Sequence, residues 1–162
     1  ERLHRGQIDA VIGSMRITGG KVDYVPLHEE EYRFVASPKT IKQHPLNAPQ
    51  DAQAHTLVDT SDAFVLFRYW LDQAPSQKSW IFGQLRYLGT IGAIRNWILE
   101  EDGVAVLPAY FIQKDIEAGR LIEVMPEIQP AKDFFRLIWL QGHPREEELR
   151  TLGAHLSEMD LQ

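Results

Sequence analysis

Short apolar segments alternate with amphipathic segments along most of the chain. Strands are predicted where apolar, β-branched or aromatic residues run together, and helices where apolar residues recur every three or four positions. The predicted strands are 8–12, 22–27, 32–36, 55–59, 79–88, 104–107, 121–125 and 134–141. The predicted helices begin at 60–62, at 90, at 111 and after Pro144. Strands that alternate with helices indicate an α/β fold with a largely parallel sheet.

Several boundaries carry a local signal. Gly6 is predicted to cap the last turn of a helix, and Thr90 to cap the start of one that ends with Gly103 at its C′ position. Gly83 is a candidate β-bulge inside a predicted strand. The stretch 37–54 holds three prolines and no sustained periodicity, so it is predicted to contain at most one short helix.

The order of the elements predicts two lobes. Residues 38–125 are self-consistent as one lobe of the size of a small domain. The flanking pieces, 1–36 and 131–162, are then expected to pair with each other and form the other lobe. The chain is expected to cross between the lobes near Ser37 and near 126–130, which makes a natural hinge.

Composition removes several classes of function. The net charge is -6, from 17 Lys and Arg against 23 Asp and Glu, which is the wrong sign for an autonomous DNA-binding module. There is no cysteine, which excludes disulfides and thiolate metal sites. No apolar run approaches the roughly 18 residues that span a bilayer. Because the chain opens on Glu1 rather than methionine, we expect it to be a fragment of a longer protein.

Four phrases in order carry a family resemblance. They are the segments 6–12 (GQIDAVI), 44–46 (HPL), 103–108 (GVAVLP) and 119–124 (GRLIEV). None is specific alone, but together they cover nearly the whole chain. In this order they make the chain similar to the effector-binding domain of LysR-type transcriptional regulators.

The resemblance implies a type 2 periplasmic-binding-protein-like fold, with two Rossmann-like lobes joined by a two-strand hinge. In that fold lobe I would comprise 1–36 and 131–162 and lobe II 38–125, and lobe I would lack its opening strand–helix–strand unit. The winged helix-turn-helix of the family is absent from this chain. The implied function is ligand sensing and oligomerisation in a cytoplasmic regulator. Its implied partners are a small-molecule effector, a second copy in a homodimer or tetramer, and DNA only through the missing N-terminal domain, with no membrane.

Candidate ligand-binding residues follow three predicted strands. Ligands bind beyond the carboxyl ends of strands in open α/β sheets, where helix N-termini present free N–H groups. These residues are Ser14, Met15, Arg16, Thr60, Ser61 and Thr90. The resemblance places them at the inter-lobe cleft, where the family binds small metabolites that are often anionic or aromatic. The same threonines and serine also suit plain helix N-caps, and Arg16 also suits a solvated surface position.

Other functions are also considered. If the chain is a periplasmic solute-binding protein of the same fold, a secretion signal is expected upstream and no link to DNA is expected. An enzyme on this fold needs a catalytic constellation, and Ser14, Arg16 and Thr60 lack a base. The run His28 to Glu31 is interpreted as a solvated turn rather than a metal site. No catalytic residue, metal or cofactor is predicted.

Overall fold

The computed structural model describes residues 2–14 and 21–159. They form two compact units. The first combines the two ends of the chain, Glu1–Glu30 and Asp133–Gln162, and the second runs from Glu31 to Lys132.

The structure contains eight strands and five α-helices in its described part. The strands are β1 (Ala10–Gly13), β2 (Val22–Glu30), β3 (Tyr32–Ala36), β4 (Thr56–Asp59), β5 (Gln84–Tyr87), β6 (Val104–Pro108), β7 (Ile122–Glu123) and β8 (Asp133–Leu140). The helices are α1 (Pro38–Gln43), α2 (Phe67–Leu71), α3 (Ile91–Glu100), α4 (Ala109–Glu117) and α5 (Glu146–Ser157). Two 3₁₀ helices, Pro49–Ala54 and Gln77–Ser79, complete the regular structure.

The chain enters the second unit earlier, and leaves it later, than the sequence pattern predicted. The division falls at Glu30–Glu31 and at Lys132–Asp133, whereas crossings were expected near Ser37 and 126–130. Strand β3, assigned by the prediction to the first lobe, pairs with β6 and β7 in the second unit. The division of the whole protein into lobes I and II otherwise stays a prediction.

The first unit is a three-stranded sheet packed against one helix. Its order is β1-β8-β2, and both pairings are antiparallel. Leu149 of α5 packs against Leu137 and Trp139, which are two residues apart and therefore lie on the same face of β8. Gly153 lets α5 approach β2 closely, because a Cβ at this position would lie 3.0 Å from Cβ of Val25.

The second unit has a five-stranded sheet in the order β5-β4-β6-β3-β7. Strands β4, β5 and β6 are parallel, but β3 runs antiparallel to both β6 and β7. The expectation of a largely parallel sheet is therefore wrong: this sheet is mixed and that of the first unit is antiparallel. Strand β3 begins the second unit and β8 begins just after the chain leaves it, and each runs antiparallel to both strands beside it.

Burial in the second unit centres on β6, all of whose residues are buried. Helices α2, α3 and α4 pack on this sheet. Trp70 of α2 contacts Phe34 with ring centroids 4.7 Å apart, while Ile94 and Ile98 of α3 are fully buried. Fully burying each such aliphatic side chain contributes about 1.5–3 kcal/mol to folding, so the second unit has a core of its own.

Some local predictions are confirmed and others are wrong. Gly6 has a φ of 64° and ends the first turns in a Schellman arrangement, as predicted. Segment 37–54 holds both α1 and a 3₁₀ helix, more structure than expected. Gly103 lies beyond the helix end at Glu100, and its need for glycine is steric, since a Cβ would lie 3.0 Å from Cγ2 of Val58.

Candidate functional site

Two of the predicted ligand-binding loops lie side by side in the second unit. Strands β4 and β5 run parallel, so both deliver their carboxyl ends to the same edge. The N–H of Leu88 donates to the carbonyl oxygen of Asp59 at 3.0 Å, and the N–H of Gly89 donates to that of Thr60 at 3.1 Å. The loops that carry Thr60 and Thr90 are thereby joined.

The loop after β4 is organised by the buried carboxylate of Asp59. This side chain is fully buried and accepts N–H groups from Thr60 at 2.6 Å, Phe67 at 2.8 Å and Leu66 at 3.3 Å. Asp59 therefore caps α2 from seven or eight residues away. The prediction that residues 60–62 cap this helix is wrong, because a loop wraps the carboxylate before the helix begins at Phe67.

The hydroxyl groups of this loop have different hydrogen-bonding capacities. Oγ1 of Thr60 donates to Oδ1 of Asp59 at 3.2 Å, which leaves its lone pairs as acceptors for a ligand. The carbonyl of Ser61 accepts the N–H of Phe64 at 3.1 Å in a turn. The Ser61 side chain is half-buried, and no partner for its hydroxyl is recorded within 2–14 and 21–159. It remains able to donate or accept.

The loop after β5 presents the start of α3. Thr90 caps this helix, as predicted, by accepting the N–H of Ala93 on its Oγ1 at 3.2 Å. Its hydroxyl hydrogen remains to be donated. The N–H groups of Ile91 and Gly92 precede the first intrahelical bond, and in the described part of the chain they have no recorded acceptor. A helix start of this kind favours a negative group by about 0.3–1 kcal/mol.

The other predicted site residues lie in the first unit or outside the described residues. Ser14 follows β1 in the first unit and is half-buried. Met15 and Arg16 lie outside the described residues. The juxtaposition in the second unit is therefore that of Thr60 and Ser61 with Thr90.

An ion-pair cluster that the sequence gave no reason to expect holds α3 in place. Asp115 of α4 is 1% exposed and accepts both Arg95 of α3, at 2.6 and 2.8 Å, and Arg120, at 2.6 and 2.9 Å. Burial raises the pKa of Asp115, but the hydrogen bonds from Arg95 and Arg120 outweigh it and hold that pKa below its ordinary value. The cluster fixes the direction in which the N-terminus of α3 points.

The part of the chain that the structure describes contains neither a metal-binding cluster nor a membrane-spanning helix. No three His, Asp or Glu side chains among residues 2–14 and 21–159 are arranged to hold a metal ion. Across the same residues, every helix is too short or too polar to cross a bilayer.

The chain is similar in fold to solved effector domains of LysR-type regulators. The regulatory domain of CrgA from Neisseria meningitidis matches with a TM-score of 0.72 and 18% identity over 97% of this chain and 78% of that one. Full-length LysG from Corynebacterium glutamicum, with bound effector Arg, matches with a TM-score of 0.71 and 16% identity over 97% of this chain. These likenesses confirm the predicted fold class.

The chain spans only part of such regulators. It covers 53% of LysG and 54% of full-length CrgA, whose match has a TM-score of 0.74 at 16% identity over 97% of this chain. No curated protein matches it in sequence. The family described as "LysR substrate binding domain" does match, over residues 1–160.

Domains of this family sense ligands and are not enzymes, as expected from the sequence. The match extends over nearly the whole chain, and it agrees with the four phrases at 6–12, 44–46, 103–108 and 119–124. The chain therefore belongs to the LysR substrate-binding domain family.

Proposed function

We propose that this chain is the ligand-sensing and oligomerisation domain of a cytoplasmic LysR-type transcriptional regulator. A small, anionic metabolite binds in the cleft between its lobes, and DNA is bound only by an N-terminal domain outside this chain. The observation that carries the proposal is the juxtaposition of Thr60 and Ser61 with the start of α3 at Thr90.

The chemistry of this edge suits a carboxylate. The Thr90 hydroxyl and the N–H groups of Ile91 and Gly92 all have hydrogens to give, and the helix dipole has its positive end there. Because Oγ1 of Thr60 already donates its hydrogen to Asp59, it can accept a hydrogen bond from a donor group elsewhere on the same ligand. A small molecule that carries both a carboxylate and an amino or hydroxyl group satisfies both requirements. The bound effector in the LysG structure, Arg, is a molecule of that kind.

Regulation requires that the ligand bind one conformation of the protein more tightly than another. Inverting a population from 1:99 to 99:1 needs a difference of about 5.5 kcal/mol, and partial regulation needs less. We propose that effector binding shifts the lobe or dimer geometry and so changes the spacing of the DNA-binding domains.

An exposed sheet edge supports self-association into a dimer or tetramer. All four residues of β5 are exposed, and β5 pairs only with β4 within the described residues. Leu85 and Tyr87 are 49% and 41% exposed, although such side chains are usually buried. An unpaired strand edge with exposed apolar side chains is suited to binding another chain.

A ligand screen with one pair of variants tests the site. Thermal unfolding of the full chain is measured against a panel of amino and hydroxy acids beside the corresponding amides. We expect at least one acid to raise Tm where its amide does not. The double variant Thr60→Ala/Ser61→Ala is expected to weaken binding of that acid at least ten-fold, the loss of about 1.4 kcal/mol.

The control is Thr151→Ala/Ser157→Ala, which removes two exposed hydroxyls of α5 in the other unit. It is expected to leave the affinity unchanged. Equal affinity in the Thr60/Ser61 variant and the wild type would remove those residues from the site. A secretion signal encoded upstream of Glu1, in place of a winged helix-turn-helix, would instead make the protein a periplasmic solute-binding protein.

A further inference from the structure

A third loop reaches the edge of the sheet at which the loops after β4 and β5 lie. Strand β6 runs parallel to β4, so its carboxyl end at Pro108 lies at the same edge as Asp59. Helix α4 begins directly after this strand, at Ala109. Strand β4 separates β6 from the outermost strand β5, so pairing of another chain with β5 does not involve the loop after β6.

Helices α3 and α4 lie side by side with their starts at this edge. Phe111, in the first turn of α4, faces Gly92 in the first turn of α3, where a Cβ would lie 4.0 Å from Cζ of the Phe111 ring. About one turn further along each helix, Arg95 of α3 binds Asp115 of α4. The two helices therefore run parallel, and the ion pair that holds α3 also keeps Phe111 beside its start.

The ring of Phe111 is partly exposed to solvent. Its exposed fraction is 36%, whereas the next residue of the helix, Ile112, is fully buried. The Cα–Cβ bond of a helical residue is tilted toward the N-terminus of the helix. A ring that contacts the Cβ position of Gly92 therefore lies toward the N–H groups at the start of α3. A carboxylate bound by the N–H of Gly92 is then within reach of this ring through a single side chain of the ligand.

This arrangement places an apolar surface beside a polar anchor. The N–H groups of Ile91 and Gly92 and the hydroxyl of Thr90 suit a carboxylate. The ring of Phe111 suits a second ring, because aromatic pairs make favourable stacked or edge-to-face contacts and their burial removes apolar area from water. An acid that carries an aromatic side chain close to its carboxylate is complementary to both parts.

We propose that Phe111 determines the specificity of the effector site by contacting the side chain of the bound acid. The effector is then an α-amino or α-hydroxy acid with an aromatic side chain, rather than a small acid such as alanine or lactate. This inference rests on the proposed function, because the acid is anchored by the proposed site at Thr90 and Gly92. It adds the loop after β6, which the predicted site residues did not include.

The test compares pairs of acids that share their polar groups and differ only in the ring. The pairs are L-phenylalanine with L-alanine and phenyllactate with lactate, and calorimetric titration of the full chain measures each affinity. The wild type is expected to bind the aromatic member of at least one pair about ten-fold more tightly, because only that member contacts Phe111. Phe111→Ala is expected to lower the affinity for the aromatic acid about ten-fold and to leave that for the small acid unchanged.

Two further variants separate specificity from a general effect on the helix. Phe111→Leu keeps an apolar side chain at this position and is expected to lose less of the preference than Phe111→Ala. The control Gln113→Ala replaces another exposed residue of α4, whose side-chain amide donates to Glu117 of the same helix at 2.8 Å. It is expected to leave all affinities unchanged. Urea unfolding checks that each variant is folded, and a uniform loss of stability does not alter the ratio of two affinities.

The outcomes distinguish this inference from the proposed function. Equal affinities of the wild type for both members of each pair would overturn the role of Phe111, and the effector site itself would stand if Thr60→Ala/Ser61→Ala weakened both. A preference for the aromatic acid that persists in Phe111→Ala would also overturn it. If neither aromatic acid bound the wild type, this inference alone would be wrong where another acid of the panel raised Tm, and both proposals would be wrong where none did.

Discussion

Replacing Asp115 by asparagine is predicted to destabilise the second unit by about 2 kcal/mol. The change keeps the size of the side chain and removes the charge that two guanidinium groups share. Breaking a fully buried ion pair costs about 3–5 kcal/mol, because it leaves an uncompensated charge in the interior. Arg95 and Arg120 are 29% and 53% exposed, so water solvates them in part and the cost is smaller.

Urea unfolding followed by tryptophan fluorescence measures this loss. Three of the four tryptophans, Trp70, Trp80 and Trp97, lie in the same unit as Asp115. The matched variant Arg120→Gln, which leaves Arg95 bound to the carboxylate, is expected to cost less than about 1 kcal/mol. A free energy of unfolding for Asp115→Asn within 0.5 kcal/mol of the wild type, roughly the effect of a neutral surface change, would refute this reasoning.

The pH dependence supplies an independent check on the same cluster. The pKa of Asp115 in the folded protein lies below its ordinary value of 3.8. Its contribution to stability is then fully present above that value and is lost as the pH falls through the lower, folded-state pKa. The difference in stability between the wild type and Asp115→Asn is therefore expected to be constant near neutrality and to shrink below about pH 4.

Two further predictions concern the start of β4 and the turn before β5. Burial lowers the pKa of His55 below 6.5, so the unfolded chain binds the proton more readily and stability falls as the pH drops below that value. The slope is up to about 1.4 kcal/mol per pH unit. His55→Gln is expected to flatten the pH profile of Tm between pH 7 and 5, whereas the exposed His155→Gln leaves it unchanged; equal profiles for both variants would contradict this. Gly83→Ala is expected to destabilise the protein by 2 kcal/mol or more, roughly the cost of backbone rearrangement, because its Cβ would overlap the carbonyl oxygen of Gln53. Gly13→Ala, with open space around the new methyl group, is the control in urea unfolding, and similar losses in the two variants would refute the steric explanation.

The sequence predicted those elements that are determined by residues close together in the chain. Strand β3 was predicted with its observed limits, since Tyr32, Phe34 and Val35 favour β-structure and polar residues flank the segment. Thr90 was identified as the cap of α3 because capping involves residues only three positions apart. The predicted strand 121–125 shortens to Ile122–Glu123, since β7 pairs only with the end of β3.

Features set by contacts distant in sequence were missed. The forward reach of the Asp59 carboxylate to Leu66 and Phe67 was not predicted, because no spacing rule for N-caps extends over seven or eight residues. The requirement for glycine at Gly83 arises from Gln53, thirty residues earlier, and was read as a β-bulge. Asp115 and Arg95 are twenty residues apart and meet only when α3 and α4 pack. The loops at the strand ends were therefore predicted from the sequence, whereas the long-range contacts that hold them in place were not.

The most direct test of the proposed sensing site is the position of a bound acid on the protein. Backbone amide NMR of the full chain is recorded with and without the acid that raises Tm. The proposal predicts that the largest shifts fall on Ser61, Ile91 and Gly92, whose amides flank the joined loops, and that Thr60→Ala/Ser61→Ala reduces them at equal ligand concentration. Shifts confined to other amides, with those three unmoved, would contradict the proposal that the effector binds at the ends of β4 and β5.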